Sequence, residues 1–177
     1  MTKTRFIQVE PFNEESFAPF GIVIGPRATP AEFKGNASEG WLLEFEAMGG
    51  AQLMYSRFHH QKMRFSLVER HFGVTQGFVP LNGTPLVMVV APPGVSPSPE
   101  SLRAFLLDGT RGLLMREGTW HTLDRYPVRP PYVDVLFLTA RATHEELMRE
   151  QAGGPKPRLT ELHDFAAQGI EFEVTGV

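Results

Sequence analysis

The apolar residues of this chain fall in short runs, many with a period of two, which is typical of β-strands. Residues 85–91, PLVMVVA, are continuously apolar and rich in β-branched side chains, as expected of a strand covered on both faces. The runs SLRAFLLD at 101–108 and YVDVLFLT at 132–139 predict two further strands. With the shorter runs they make about eight strands, separated by turns at the spacing of sandwiches, barrels and jelly rolls. We therefore predict an all-β fold.

Minor helices are predicted at two places from their end signals. Asn13, followed by two glutamates, indicates a helix start, and Pro19 stops that helix after about one turn. Thr143 and Glu146 have the T-x-x-E spacing of a capping box, which predicts a helix over 144–150.

Composition indicates one globular domain. The chain has 177 residues, of which 42% are hydrophobic and 21% charged, and these values exclude disordered and fibrous classes. The segment GGPKPR at 153–158 resembles a linker that comes late in the chain. We predict a single domain over residues 1–177, with residues 151–177 as a C-terminal appendage.

Charge and cysteine content exclude several functions. The net charge of -3 leaves no basic excess for nucleic acid, so we do not expect a nucleic-acid partner. The absence of cysteine excludes a disulfide scaffold, a thiol nucleophile and a thiolate metal site. No run is apolar enough for a membrane span, and the N-terminus lacks a signal-peptide pattern. We predict a cytoplasmic protein without a membrane partner.

The most informative segment is ERHFGVTQGFVPLNG at 69–83, where polar residues interrupt an apolar stretch. By the period of two, Glu69 and His71 share a face with Phe65 and Leu67. The spacing E-x-H-x4-Q-x6-G, which includes Gln76, matches the first cupin motif, H-x-H-x4-E-x6-G.

A second motif lies downstream. Arg116, Gly118 and His121 have the spacing of the second cupin motif, P-x-G-x2-H, with Arg in place of Pro. The two motifs resemble those of cupins, with Glu69, Gln76 and Arg116 departing from the usual pattern, and the resemblance implies a cupin-like double-stranded β-helix, or jelly-roll barrel.

A closer resemblance appears when these residues are taken with their neighbours. The pattern E-R-H-x3-T-Q-x-F-x-P-x2-G at 69–83, the segment LRAF at 102–105 and the pair Trp120-His121 resemble the ureidoglycolate lyase family. The resemblance implies a cupin-like barrel, usually a homodimer, that splits ureidoglycolate into glyoxylate and urea in allantoin and purine breakdown. Thr122 departs from the family pattern, where a second His is common, and Arg116 also departs from it.

Cleavage of a carbinol-urea requires a base for the hydroxyl proton and an acid for the leaving nitrogen. Glu69 and His71 suit these tasks, because His titrates near neutral pH and burial can raise the pKa of Glu. His121 is the third catalytic candidate if the barrel closes as in cupins. A hydrogen-bonded polar pair at the barrel rim is the alternative for Glu69 and His71.

The substrate carboxylate calls for a guanidinium group, which binds carboxylates through two parallel hydrogen bonds. Arg70 points away from His71 by strand alternation, so Arg103 or Arg116 is the preferred candidate. Gln76 completes the candidate substrate-binding residues. A turn-stabilising amide is the alternative for Gln76, and an ion pair is the alternative for Arg103.

The same cluster is a candidate metal site. Glu69, His71, Gln76 and His121 would offer nitrogen and oxygen ligands to a divalent metal such as Ni, Mn or Zn. The residues leave open whether the enzyme uses no cofactor or such a metal.

The sequence is compatible with three functions. The first is a carbon–nitrogen lyase acting on ureidoglycolate. The second is another metal-dependent cupin enzyme for a small hydroxy or ureido acid, and the third is a non-catalytic cupin that binds a small carboxylate. A homodimer is expected, since an all-β domain has strand edges that a partner commonly covers.

Overall fold

The computed structural model describes residues 2–177, in which strands predominate over two α-helices and one short 3-10 helix. The strands are β1 (Lys3–Pro11), β2 (Gly21–Ile24), β3 (Phe33–Lys34), β4 (Glu39–Gly40), β5 (Ala51–His59), β6 (Arg64–Phe65), β7 (Leu67–His71), β8 (Gly77–Pro80), β9 (Leu86–Ala91), β10 (Arg103–Leu107), β11 (Gly112–Met115), β12 (Trp120–Thr122), β13 (Tyr126–Pro127), β14 (Tyr132–Ala140), β15 (Thr160–Asp164) and β16 (Ile170–Thr175). The α-helices are α1 (Glu14–Phe17) and α2 (Arg141–Gln151), and the 3-10 helix is Phe165–Gln168. Within the described residues, no helix is both long and apolar enough to cross a bilayer.

Two sheets form the body of the molecule. The larger has the order β15-β7-β12-β9-β10-β1-β16-β6, with β13 also paired to β9, and the smaller has the order β2-β11-β8-β14-β5. The larger sheet curls, because β6 at one end of its order runs on through a single residue into β7 near the other end. The all-β prediction with minor helices is confirmed, and the curled sheets form a half-barrel.

Strand β9 divides its side chains between two cores. Leu86, Met88 and Val90 pack between the two sheets, whereas Val87, Val89 and Ala91 pack against a second core on the other face of the larger sheet. All six residues are buried, as the continuously apolar run predicts.

The core between the sheets is rich in phenylalanine. The ring of Phe105 lies 5.6 Å from those of Phe17 and Phe20 and 6.4 Å from that of Phe12, measured between centroids. Helix α1 positions Phe17, and its predicted start is confirmed by the capping box between Asn13 and residue 16.

The C-terminal segment is part of the larger sheet. Strand β15 pairs antiparallel with β7, and β16 pairs in parallel with β1. Phe165 and Phe172 from this segment are fully buried in the second core. Residues 151–177 therefore pack on their own chain, and β15 lies directly beside the strand that contains Glu69 and His71.

The capping box predicted at Thr143 is wrong, although the predicted helix is present. Strand β14 runs directly into α2, so Ala140 takes the N-cap position and Thr143 is buried inside the first turn. Glu146 instead accepts hydrogen bonds from the backbone N–H groups of Arg158 and Leu159, at 2.7 and 2.8 Å. The helix end was misplaced because the strand and the helix share a boundary residue.

Phe65 does not share a face with Glu69 and His71 as predicted. The strand is interrupted between β6 and β7 at Ser66, whose backbone carbonyl accepts a hydrogen bond from the N–H of Phe165. This break interrupts the alternation, and Phe65 stacks on Phe172 in the second core with centroids 5.1 Å apart.

Candidate active site

Strand register brings the polar cluster together. Strand β7 lies between β12 and β15, and His121 of β12 is the direct partner of Glu69. Thr160 of β15 is the direct partner of His71. Because directly paired residues project from the same face of a sheet, these four side chains gather at one place.

Glu69 stands between two imidazole rings. Its Oε1 atom lies 3.6 Å from Nε2 of His71 and 3.8 Å from Nδ1 of His121. The side chain of Glu69 is 18% exposed, while His71 and His121 are 5% and 1% exposed. The structure thus brings together the three residues that the sequence indicated as catalytic candidates.

Each imidazole is held through one nitrogen. Nδ1 of His71 lies 3.0 Å from the hydroxyl oxygen of Thr160. Nδ1 of His121 donates to the backbone carbonyl of Thr122 at 3.1 Å, which leaves Nε2 of His121 buried without a hydrogen-bond partner. Thr122 therefore takes part in orienting His121 through its backbone, a role that does not depend on its side chain.

The environment sets the charges of the cluster. Burial alone would raise the pKa of Glu69, but its interactions with His71, His121 and Arg125 outweigh burial and bring this pKa to about 2. The expectation of a raised pKa for Glu69 is therefore wrong, and the group is a carboxylate at neutral pH. Burial, aided by Arg125, lowers the pKa of His121 to about 3, so this ring is neutral.

A cavity of about 170 Å³ adjoins the cluster, between β5, β7, β14 and α2. Its apolar wall is formed by Met54, Phe58, Leu123, Phe137 and Leu147, and its polar groups are Ser56, Glu69, His71, Gln76, Arg125, Thr139, Thr143 and His144. The Nε2 atom of Gln76 donates to the hydroxyl of Thr139 at 3.4 Å, and its Oε1 atom has no partner. The cavity can hold a small polar molecule against Glu69 and His71.

The structure does not bring the predicted arginines to the cavity. Arg103 is paired with Glu10 outside it, and Arg116 is exposed in the turn after β11. Arg70 points to the opposite face, as strand alternation predicts, and contacts the rings of Phe72 and Trp120. The arginine that lines the cavity is Arg125, which sequence reasoning missed, because nothing in the segment LDRYP indicates that its guanidinium is buried.

The cluster fits a divalent metal. Glu69, His71 and His121 each offer one ligand atom, and these atoms lie within 4.8 Å of one another. Two imidazole nitrogens and a carboxylate oxygen suit transition metals such as Ni, Mn and Zn. The unpartnered Nε2 of His121 and Oε1 of Gln76 are consistent with this fit, since buried polar atoms normally have a partner.

Among solved structures, one similarity is to RmlC from Streptococcus suis in complex with dTDP-D-xylose. The TM-score is 0.31 at 9% sequence identity, and the match covers 50% of this chain and 42% of that one. A similarity of this size bears on neither the fold nor the function.

The sequence of the chain is similar to those of ureidoglycolate lyases. The family model described as ureidoglycolate lyase matches residues 4–143. A ureidoglycolate lyase of Azotobacter vinelandii is 33% identical over 66% of this chain and 75% of the relative, and one of Pseudomonas aeruginosa strain PAO1 is 35% identical over 66% and 74%. One of Burkholderia cepacia is 30% identical over 98% of this chain and 94% of the relative. The chain therefore belongs to the ureidoglycolate lyase family.

Proposed function

We propose that this protein is a carbon–nitrogen lyase that splits ureidoglycolate into glyoxylate and urea, as a step of allantoin and purine catabolism. The observation that carries the proposal is the cluster of Glu69, His71 and His121 in a member of this family, of which Glu69 and His71 line a small cavity. The names of the relatives support the substrate, and the cluster supports the acid–base chemistry that the reaction needs.

The reaction moves one proton from oxygen to nitrogen. The carbinol hydroxyl loses its proton as the carbonyl forms, the carbon–nitrogen bond breaks with its electron pair going to nitrogen, and urea leaves after that nitrogen is protonated. In the tautomer whose Nδ1–H donates to Thr160, Nε2 of His71 carries a lone pair that can take the hydroxyl proton and return it to the urea nitrogen. The carboxylate of Glu69, 3.6 Å from Nε2, stabilises the protonated ring between these steps.

A metal would use the same residues differently. When bound by Glu69, His71 and His121, a divalent metal would act as a Lewis acid toward the hydroxyl and carboxylate oxygens of the substrate. A lone pair that His71 gives to a metal is not available for a proton, so the two uses of this residue exclude each other.

The first experiment compares purified protein, as isolated and after chelation, with racemic ureidoglycolate as substrate. We expect glyoxylate and urea to appear in equal amounts. Activity that survives chelation would indicate that His71 transfers the proton. Activity that is lost on chelation and restored by Ni, Mn or Zn would indicate that His71 is a metal ligand. Release of ammonia without urea, or no turnover at all, would contradict the proposal. Turnover of a different hydroxy or ureido acid would favour the second function considered above.

A cytoplasmic homodimer is part of the proposal. The family resemblance supports it, and so does β5, a nine-residue strand at the edge of the smaller sheet with exposed Leu53 and Tyr55. Long exposed edge strands of this kind are commonly covered by a partner.

The hydroxyl of Thr160 is expected to orient His71 during turnover. Replacing Thr160 with Val keeps the size of the side chain but removes the hydroxyl, and the loss of one hydrogen bond predicts a fall in kcat of up to about tenfold with little change in KM. Steady-state kinetics with kcat and KM determined separately would test this.

Thr160→Ser is the matched variant, because it keeps the hydroxyl and loses the methyl group. It is expected to retain most of the kcat that Thr160→Val loses. Equal losses in both variants would show that Thr160 contributes through packing and not through its hydrogen bond.

A further inference from the structure

Arg125 is a buried cation without an anionic partner. Its side chain is among the largest that are fully buried, and the residue is 2% exposed. Within residues 2–177 it takes part in no salt bridge, and its Nε atom has no hydrogen-bond partner. Since a charge taken out of water is strongly unfavourable unless it is paired, an unpaired guanidinium of this kind calls for a ligand.

The guanidinium is held rigidly on its other side. Its Nη1 atom donates to the backbone carbonyls of the three preceding residues, Thr122, Leu123 and Asp124. Its central carbon lies 5.5 and 5.4 Å from the ring centroids of Phe78 and Phe137. These contacts fix the orientation of the group, so its remaining N–H donors are preorganised for a ligand in the adjoining cavity.

Glu69 does not neutralise Arg125 by direct contact. This carboxylate lines the same cavity, but its close contacts are with His71 and His121. The cavity is therefore polarised, with a free cation in one part of its wall and an imidazole–carboxylate pair in another. An anionic ligand would meet attraction at Arg125 and repulsion at Glu69, and this arrangement allows only one orientation.

We propose that Arg125 binds the carboxylate of an α-hydroxy acid substrate and makes the site selective for acids over the corresponding amides. This inference rests on the proposed lyase function, because it assigns one end of that substrate to Arg125. The hydroxyl-bearing carbon then lies toward His71, and the ureido N–H groups can donate hydrogen bonds to acceptors that have no partner within the protein. The cavity offers two such oxygens without partners, Oε1 of Gln76 and Oγ1 of Thr143.

The test uses the full-length protein and two small probes, glycolate and its neutral analogue glycolamide. Calorimetric titration is expected to show that glycolate binds at least about tenfold more tightly than glycolamide. A difference of this size is what one pair of charge-assisted hydrogen bonds contributes to affinity. Arg125→Met should abolish this preference and raise KM for ureidoglycolate by about 10- to 100-fold. Arg129→Met is the matched control, because Arg129 is exposed and lies a few residues further on; its KM and its preference should be unchanged.

Arg125→Lys is the second variant, in case the Met variant does not fold. It keeps a positive charge without the planar fork, so glycolate affinity should fall while glycolamide affinity stays the same. Equal affinity of the native protein for the two probes would overturn the inference even if lyase activity is present. Binding of glycolate that depends on Arg125, without any turnover of ureidoglycolate, would retain the carboxylate site and reject the lyase function.

Discussion

Replacing Glu69 with Gln is expected to lower kcat/KM for ureidoglycolate by about 10²–10⁴-fold, the range found when a positioned acid–base group is lost. The substitution keeps the shape of the side chain and removes its charge. That charge lies 3.6 Å from His71 and 3.8 Å from His121. In the proposed reaction Glu69 either stabilises a protonated His71 or completes the set of metal ligands, so the loss is expected whether or not the enzyme uses a metal.

Steady-state kinetics of Glu69→Gln, together with its thermal unfolding, would check this prediction. His59→Gln is a suitable control, because His59 is exposed near the end of β5 and outside the cavity. This control should have native kinetics. If Glu69→Gln were as active as the native protein while remaining folded, the carboxylate would have no part in catalysis.

Replacing Phe105 with Ala is expected to lower the free energy of unfolding by about 3–5 kcal/mol, the usual cost of deleting a large buried ring. Phe105 is fully buried in the core between the two sheets. It makes edge contacts with the rings of Phe12, Phe17 and Phe20, so its loss leaves a cavity that α1 and the neighbouring strands cannot readily fill.

Urea denaturation monitored by circular dichroism would measure this loss. Phe6→Ala is the matched control, because Phe6 lies on β1 of the same sheet but is 67% exposed. Its expected effect is within about 0.5 kcal/mol. Similar losses in both variants would mean that burial of Phe105 in the aromatic core contributes little to stability.

Local sequence patterns predicted the strands at the centre of the fold. Strands β9, β10 and β14 lie where continuous or alternating apolar runs indicated them, since these patterns depend only on neighbouring residues. The motif spacing also selected Glu69, His71 and His121 correctly as residues that come together, although His121 lies on a different strand. Motif spacing carries this information because the fold of the family fixes the register between the two strands.

Predictions failed where segments distant in the chain change the local backbone or the local electrostatics. Phe65 does not lie on the expected face, because the strand is interrupted at Ser66, where the backbone N–H of Phe165 in the C-terminal segment donates a hydrogen bond. The pKa of Glu69 falls instead of rising because its interactions with His71, His121 and Arg125 outweigh burial. In each case at least one deciding group lies outside the segment from which the expectation was drawn: Phe165 for the strand, and His121 and Arg125 for the pKa.

By itself the sequence determined the fold class and the resemblance to the ureidoglycolate lyase family, because alternation and motif spacing are found along the chain without knowledge of the tertiary structure. Only the tertiary structure decided which arginine lines the cavity and which residue holds His71. Arg103 is neutralised by Glu10 on a neighbouring strand, while Arg125 is enclosed by Phe78 and Phe137 from the other sheet. Thr160 reaches His71 only through pairing of β15 with β7. Burial and cross-strand contact depend on segments far apart in the chain, which is why no local pattern could predict them.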